Sequence, residues 1–333
     1  MTADRLSAKH VFEKCFKCRL IHSCDDKNFV CGLHHESIRR EATTLRRIAK
    51  RNNLDLVDIK CEGREGAVAL IQVMREISKM TWPIQRGHVG FSTGCLYQYD
   101  IGLVEKLKAY LKAGATVLEL AFRAPEALLA FEYGDEEKSK FAKFDIVTIH
   151  APWEGIRYFD GSGGTDPVMR KLVSICQELS ISGIVFHPDI VDNFTGLEIV
   201  GLELPVLIEN MDYRKDFCTT PEDIAKVKAD YDFGFVLDLE HVYEHDQSMG
   251  LANEMVEVMG DRLSHLHASG FNVEYNHAPL HVADNWEVIC ETLRTMSKVP
   301  VILEGVLCGD IFIASKKEFD FVVENGSPFE KKQ

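Results

Sequence analysis

Four histidines lie close together in the stretch HLHASGFNVEYNHAPLH, which covers residues 265–281. Imidazole is the commonest metal ligand in proteins and it also titrates near neutral pH, so such a cluster is typical of a metal or catalytic site. Core packing and a loop that is rich in histidine by chance are the two competing explanations. The candidates are His265, His267, His277 and His281.

Four cysteines near the N-terminus form a second group of potential ligands, with the spacing C-x2-C-x5-C-x6-C. They are Cys15, Cys18, Cys24 and Cys31. Four thiolates in such a short segment can hold one tetrahedral Zn²⁺ or an iron–sulfur cluster. Only one C-x2-C pair is present, so zinc, a cluster and unligated cysteines all remain open. The other cysteines are scattered, which is typical of a reducing compartment, and we expect a cytoplasmic protein.

Eight short apolar runs alternate with amphipathic helical patterns after residue 87. The runs lie at 88–92, 116–122, 144–150, 183–187, 205–210, 233–239, 263–269 and 299–305. Nearly continuous apolar strands are what a parallel sheet buried on both faces requires. Eight such units predict an α/β fold, a (β/α)8 TIM barrel. A doubly wound sheet is disfavoured because no G-x-G-x-x-G follows the first strand. We expect a barrel over 88–333 and a small, mainly helical, cysteine-rich domain over 1–87.

Polar residues fall where these strands end. In a TIM barrel the catalytic groups sit at the C-terminal ends of the strands. Six of the runs end in a residue type that binds metals, namely His150, His187, Glu209, Asp238, His265 and Glu304. A single histidine at a strand end is usually structural. Metal-binding residue types at the ends of six strands are hard to assign to chance. The last four supply three carboxylates and an imidazole, a set that suits Zn²⁺, Mn²⁺, Fe²⁺ or Co²⁺.

Three more histidines could serve the same mouth of the barrel. His150 and His187 could hold a second ion with Glu209 as a bridge, or they could bind substrate by hydrogen bonds. His241 follows Asp238 by three positions. That spacing can turn it toward the same mouth, as another ligand or as a substrate-binding imidazole.

The motifs LELAF, HAPW, FHPD, IEN, DLEH, HLHAS, HAPLH and LEG occur in this order over residues 88–325. In this order they resemble the xylose isomerase-like TIM barrels, which include endonuclease IV and many sugar isomerases and epimerases. The resemblance implies a shared divalent metal at Glu209, Asp238, His265 and Glu304. The endonuclease branch implies further ions, one at His150 and His187 and one at His241 and His277. One to three ions are therefore expected.

One position departs from the endonuclease pattern. The expected Asp-x-His after strand seven reads Tyr275-Asn276-His277 in this chain. His281 or Asp284 could replace the missing aspartate. Candidate substrate contacts are His267, His281 and Trp153, which lies three residues after His150 as an aromatic residue does in the endonucleases.

Two enzymatic functions follow, and the charge distribution favours one of them. Residues 1–87 carry a net charge of +6 and the remainder −20, which disfavours broad contact with a phosphate backbone. The first choice is therefore an isomerase or epimerase of a small sugar-like substrate, in which Glu209 and Glu304 move the proton of a metal-stabilised enediolate. His241 is the third candidate catalytic residue.

The alternative is a zinc phosphodiesterase that acts on abasic DNA, like endonuclease IV, with nucleic acid as the partner. A second alternative is a non-catalytic metal or redox sensor that uses the N-terminal cysteines. No run of 18 apolar residues is present, so no membrane partner is expected.

Overall fold

Eight parallel strands form a closed barrel in the computed structural model, which describes residues 88–201, 204–296 and 299–326. Neighbouring strands pair in sequence order, and β8 closes the ring against β1. The strands are β1 Val89–Ser92, β2 Val117–Ala121, β3 Ile146–His150, β4 Gly183–Phe186, β5 Val206–Glu209, β6 Gly234–Asp238, β7 Leu263–Ala268 and β8 Val301–Leu303. Each strand lies within one of the eight predicted runs, so the (β/α)8 prediction is confirmed.

Helices connect the strands and cover the outside of the barrel. They are α1 Leu103–Ala113, α2 Pro125–Leu129, α3 Asp135–Phe141, α4 Thr165–Glu178, α5 Phe194–Gly201, α6 Pro221–Asp230, α7 Leu239–His245, α8 Gly250–Met259, α9 Trp286–Thr295 and α10 Ile311–Asn325. Within the described ranges, no helix combines the length and the apolarity that crossing a membrane would take.

The helix boundaries follow local sequence signals. Thr220 accepts a hydrogen bond from the main-chain N–H of Asp223, and Pro221 stands at the first position of α6. Helix α1 ends at Gly114, whose φ of 109° lies in the left-handed region that favours glycine. These signals set where α6 begins and where α1 ends.

The barrel has two apolar regions. Helices pack on the outside of the sheet, where Phe91 and Tyr110 stack with ring centroids 4.6 Å apart. Val185, Leu207 and Val236 form a separate buried cluster. Because side chains alternate along a strand, these three share a face with the polar residues two positions further on, at the strand ends. The apolar cluster therefore lies in the interior, below the mouth.

The predictions for residues 1–87 lie outside the described residues. They include the helical domain and the site at Cys15, Cys18, Cys24 and Cys31.

Candidate metal centre

Glu209, the last residue of β5, contacts histidines from three other strands. Its Oε2 lies 3.2 Å from His150 Nε2 and 3.1 Å from His187 Nε2. Its Oε1 lies 2.7 Å from His267 Nδ1. The side chain is 1% exposed. The two oxygens of one buried carboxylate therefore face two different groups of potential ligands.

The larger of these groups has four members: Glu209, Asp238, His267 and Glu304. Each member offers one donor atom, and the four atoms lie within 4.8 Å of one another. His267 Nδ1 lies 3.5 Å from Glu304 Oε2. Asp238 Oδ1 accepts hydrogen bonds from the first main-chain N–H groups of α7, whereas its Oδ2 is buried without a hydrogen-bond partner in the described residues. This group collects the ends of four consecutive strands.

The histidine of β7 in this group is His267, where the sequence predicted His265. Strand β7 continues to Ala268, so His265 does not end it. In the register with β6, His265 pairs with Val236 and His267 pairs with Asp238. Both imidazoles point into the barrel because they are two positions apart, but His265 lies one layer deeper. His265 therefore contacts a different carboxylate, and His267 takes the place expected for it.

The second group consists of Glu209 with the histidine pair His150 and His187. His150 Nδ1–H donates to the main-chain oxygen of Ala151 at 3.0 Å, which leaves Nε2 for the group. Trp153 packs edge-on against His150, with ring centroids 4.7 Å apart, and its ring centroid lies 5.9 Å from that of His187. The half-buried indole of Trp153 therefore forms a wall of this group.

A third group lies at the start of α7 and consists of Glu240, His241 and His277. His241 Nδ1–H donates to the main-chain oxygen of Asn210 at 2.9 Å, and His277 Nδ1 lies 2.8 Å from Ser269 Oγ. Glu240 is fully buried, and neither carboxylate oxygen has a hydrogen-bond partner among the described residues. The sequence had pointed to His281 or Asp284 as the replacement for the absent aspartate, whereas the structure places Glu240 here.

The residue at the position of the expected aspartate, Tyr275, and its two candidate replacements, His281 and Asp284, lie outside the third group. His281 Nδ1 pairs with the buried carboxylate of Glu318 at 2.6 Å. The phenolic oxygen of Tyr275 contacts Cys308 Sγ at 3.6 Å. His281, Asp284 and Tyr275 line a separate cavity of about 480 Å³. None of these three belongs to the donor groups of the described residues.

Gly305, which follows Glu304, permits the close approach that brings His277 to the mouth. A Cβ atom at this position would lie 2.5 Å from Pro279 Cα, so the two loops could not touch in this way with a larger residue. Next to it, the Val306 main-chain N–H donates to the His277 carbonyl at 2.9 Å. The residues after β8 thus fix the loop that carries His277, one member of the third group.

No family model matches the chain, and no curated protein matches it either. Solved structures do match. A D-tagatose 3-epimerase-like protein is 15% identical with a TM-score of 0.54, and the match covers 72% of this chain and 98% of that one. Endonuclease IV from Thermus thermophilus is 16% identical with a TM-score of 0.55, covering 72% and 99%. A probable 3-DHS dehydratase from Bacillus anthracis is 12% identical with a TM-score of 0.53, covering 71% and 98%.

The chain therefore shares the (β/α)8 TIM-barrel fold of these proteins. The expectation from the ordered strand-end motifs is thereby confirmed at the level of the fold. Identities of this size carry no information on the reaction, so the chemistry has to be argued from the residues at the mouth.

Charged groups inside this barrel shift one another's pKa values. Burial raises the pKa of Glu304 to about 8; His267 opposes this shift and Asp238 adds to it. Burial and the charge of Asp238 raise the pKa of Glu240 to about 9. Burial would also raise the pKa of Glu209, but His267, His150 and His187 together outweigh it and hold this pKa well below its usual range. A carboxyl group with a raised pKa keeps its proton near neutral pH. A bound cation would take the place of that proton.

These donor atoms fit divalent metal ions. Imidazole nitrogens mixed with carboxylate oxygens suit Zn²⁺, Mn²⁺, Fe²⁺ or Co²⁺. The buried oxygens of Asp238 and Glu240 that lack partners would gain one in a bound cation, which removes the cost of leaving them unpaired.

Three buried polar residues of the site were missed by the sequence reasoning: Glu119, Asn210 and Glu240. Glu119 could have been noticed as a lone carboxylate in the middle of the apolar run TVLELAF. Asn210 follows Glu209 directly, but its role depends on a contact with β6. Glu240 gave no signal of its own, because the direction of its side chain depends on where α7 begins.

Proposed function

We propose that this protein is a divalent-metal-dependent phosphodiester hydrolase. The observation that carries the proposal is the position of Glu209, whose Oε2 meets His150 and His187 while its Oε1 meets His267. A carboxylate whose two oxygens face separate sets of donors is suited to bridge two ions. Hydrolysis of phosphate esters uses such clustered ions, whereas the isomerase reaction needs one.

The chain offers ligands for up to three ions. The first ion would be held by His150, His187 and Glu209, and the second by Glu209 with Asp238, His267 and Glu304. The third would be held by Glu240, His241 and His277. Ions held there would polarise the phosphate and activate the attacking water.

The residues of the chain itself orient these ligands. Hydrogen bonds from His150 Nδ1 to the Ala151 carbonyl and from His241 Nδ1 to the Asn210 carbonyl turn both Nε2 atoms into the mouth. Trp153 covers the edge of the histidine pair. It can exclude water there and offers a flat surface to a sugar or base of the substrate.

The order of preference from the sequence is reversed here for a specific reason. Tyr275 in place of the expected aspartate, together with the acidic barrel, argued for the isomerase. Glu240 supplies a carboxylate to the group of His241 and His277, so the third group has the one carboxylate and two histidines that the endonuclease hypothesis requires. The net charge of the chain remains an argument for a phosphodiester other than long duplex DNA, and the test must address this.

An isomerase or epimerase is the second candidate, and one observation favours it. One group at the mouth could hold an ion without the other two groups. It consists of Glu209, Asp238, His267 and Glu304, and its two glutamates lie at the ends of β5 and β8. This group alone could chelate a carbonyl and its adjacent hydroxyl. The fold likeness to a D-tagatose 3-epimerase-like protein makes ketohexoses the sugars to try.

Incision of a duplex that carries one abasic site tests the proposal directly, with a bis-aryl phosphodiester as a small substrate that avoids the charge of DNA. The protein is loaded with Zn²⁺ or Mn²⁺, and D-tagatose is incubated with it in parallel. We expect hydrolysis of at least one phosphodiester. Epimerisation of the sugar together with two intact phosphodiesters would establish the second candidate instead.

A further inference from the structure

A fourth cluster of potential ligands lies in the barrel interior, below the mouth. It consists of Glu119 from the middle of β2 and of His265 and His267 from β7. All three side chains are completely buried. Strands β2 and β7 are not neighbours, because β8 and β1 lie between them in the barrel. The cluster therefore reaches across the interior and does not follow from the pairing of adjacent strands.

Three donor atoms form a small triangle in this cluster. His265 Nε2 and His267 Nε2 lie 3.3 Å apart. Glu119 Oε2 lies 3.3 Å from His267 Nε2 and 3.7 Å from His265 Nε2. Ligands on a tetrahedral zinc ion at about 2.0–2.2 Å are separated from one another by roughly 3.3–3.6 Å. The triangle thus has the size of one face of a zinc coordination tetrahedron.

The surroundings of the triangle prepare its members for a cation. Ser264 Oγ lies 3.0 Å from His265 Nδ1, and metal-bound histidines usually donate their other N–H to such an acceptor. Thr148 Oγ1 donates to Glu119 Oε2 at 2.9 Å. The other oxygen of this carboxylate, Oε1, is buried and has no hydrogen-bond partner in the described part of the chain.

A proton alone leaves this arrangement incomplete. One proton between the two Nε2 atoms would join the imidazoles, but the buried Oε1 of Glu119 would keep no partner. An unpaired buried carboxylate oxygen is costly. A divalent ion that binds both nitrogens and both carboxylate oxygens of Glu119 would neutralise the carboxylate and would give Oε1 a partner.

We propose that Glu119, His265 and His267 form a buried zinc site of their own, which shares only His267 with the three donor groups at the mouth. His267 then serves two sites, because its Nδ1 faces the mouth and its Nε2 faces the triangle. With ions on both sides its ring bridges them as imidazolate, and the ring proton that it loses passes to solvent. The site does not depend on which reaction the mouth performs.

Such an ion would have a structural effect as well. It would tie β2 to β7 across the barrel, since its ligands come from both strands. Anything that binds only the folded state stabilises that state. The donors have no exposed surface, so we expect this zinc to leave the folded protein more slowly than ions at the mouth.

The zinc content of the full-length protein tests the proposal. The wild type and the variants Glu119→Gln and His265→Asn are loaded with Zn²⁺, desalted and analysed for metal per chain. We expect each variant to lose about one equivalent relative to the wild type. Thr148→Val is the matched control, because it alters a neighbour of Glu119 that is not a ligand in the proposed site, and it should lose none. Unchanged zinc content in both variants would overturn the proposal.

A loss of zinc in Glu119→Gln could also arise at the mouth, through a displaced His267. His265→Asn carries the same ambiguity, because His265 Nε2 also contacts His267 Nε2. The location of the ion in the wild type separates the two cases. A second measurement needs no variant. Anomalous scattering at the zinc edge from crystals of the wild type should give a peak about 2 Å from both Nε2 atoms. Peaks at the mouth without one in the triangle would contradict the proposal, whatever the outcome of the hydrolysis assays.

Discussion

Asn210 holds Asp238 by both of its main-chain groups. The side-chain Oδ1 of Asn210 accepts a hydrogen bond from the Asp238 N–H at 2.6 Å, and its Nδ2 donates to the Asp238 carbonyl at 3.0 Å. Both residues are fully buried. The residue after one proposed ligand thus fixes the main chain of another, on the neighbouring strand.

Replacement of Asn210 by Leu should therefore weaken metal binding without removing a ligand. The Asp238 N–H and carbonyl would lose their partners and the carboxylate would shift. Loss of a residue that orients a ligand typically costs about 10- to 100-fold in metal affinity. Competition with a chromophoric chelator measures this. Asn193→Ala is the control, since Asn193 serves only an exposed turn at Gly196. Equal affinities for Asn210→Leu and the wild type would show that the clamp is not needed.

His187→Asn should abolish phosphodiester hydrolysis, by at least about 100-fold, because it removes a proposed ligand rather than a residue that orients one. A sugar epimerase that uses only the four-residue group would keep most of its activity. His245→Asn is a suitable control, because His245 contacts the Met211 carbonyl and belongs to no donor group. Full hydrolytic activity in His187→Asn would exclude the histidine pair from the reaction.

Glu240→Gln should reduce the metal content by about one equivalent, because the third group would lose its only carboxylate. Introducing Tyr275→Asp into this variant should not restore the equivalent, because the side chain at position 275 lines a separate cavity. Metal analysis per chain measures both. Glu244→Gln, one turn further along α7, is the matched control. An unchanged metal content in Glu240→Gln would contradict the assignment of Glu240, and a restored equivalent with Tyr275→Asp would show that position 275 does face the third group.

Stability of the metal-free protein should fall as the pH rises from about 6.5 to 9, above the range in which the lowered pKa values of His187, His265 and His277 act in the opposite direction. Burial raises the pKa of Glu304 to about 8 and that of Glu240 to about 9, so the folded chain retains protons that the unfolded chain has already released. The unfolded state binds fewer protons in this window, and the free energy of unfolding therefore decreases with pH. His241 acts in the same direction: burial lowers its pKa, but Asp238, Glu209 and the hydrogen bond to the Asn210 carbonyl together outweigh burial and raise the pKa to about 9.

Urea unfolding of chelator-treated protein at several pH values checks this sign. Glu240→Gln should flatten the decrease, because the amide has no proton to release, and the exposed Glu257→Gln should leave it unchanged. Addition of metal should oppose the loss at high pH. A metal-free protein that gains stability between pH 6.5 and 9 would contradict the prediction.

The fold and most of the mouth could be predicted from the sequence, because both depend on local patterns. Apolar runs separated by helical periods define the eight strands, and the barrel brings their ends together. His150, His187, Glu209, Asp238 and Glu304 were found in this way. Their convergence requires only that each stands at the end of its own strand.

The sequence could not show how deep in the barrel a side chain lies or in which direction it points. His265 and His267 both point inward, and only the register with Val236 and Asp238 decides which one reaches the mouth. Glu240 enters the third group because α7 begins at Leu239, directly after β6, and a start one residue later would turn it away. Hydrophobic periodicity does not locate the ends of a strand or helix to within one or two residues. It could therefore decide neither the choice between His265 and His267 nor the start of α7.

Asp238 Oδ1 accepts two hydrogen bonds, from the main-chain N–H groups of Glu240 and His241 at 2.7 and 2.9 Å. Its lone pairs are thereby used. Asp238 can offer a metal ion only Oδ2, so it is restricted to monodentate coordination before any ion arrives. A carboxylate that cannot become bidentate leaves one coordination position open, and an open position is what a substrate oxygen needs in order to bind the ion directly.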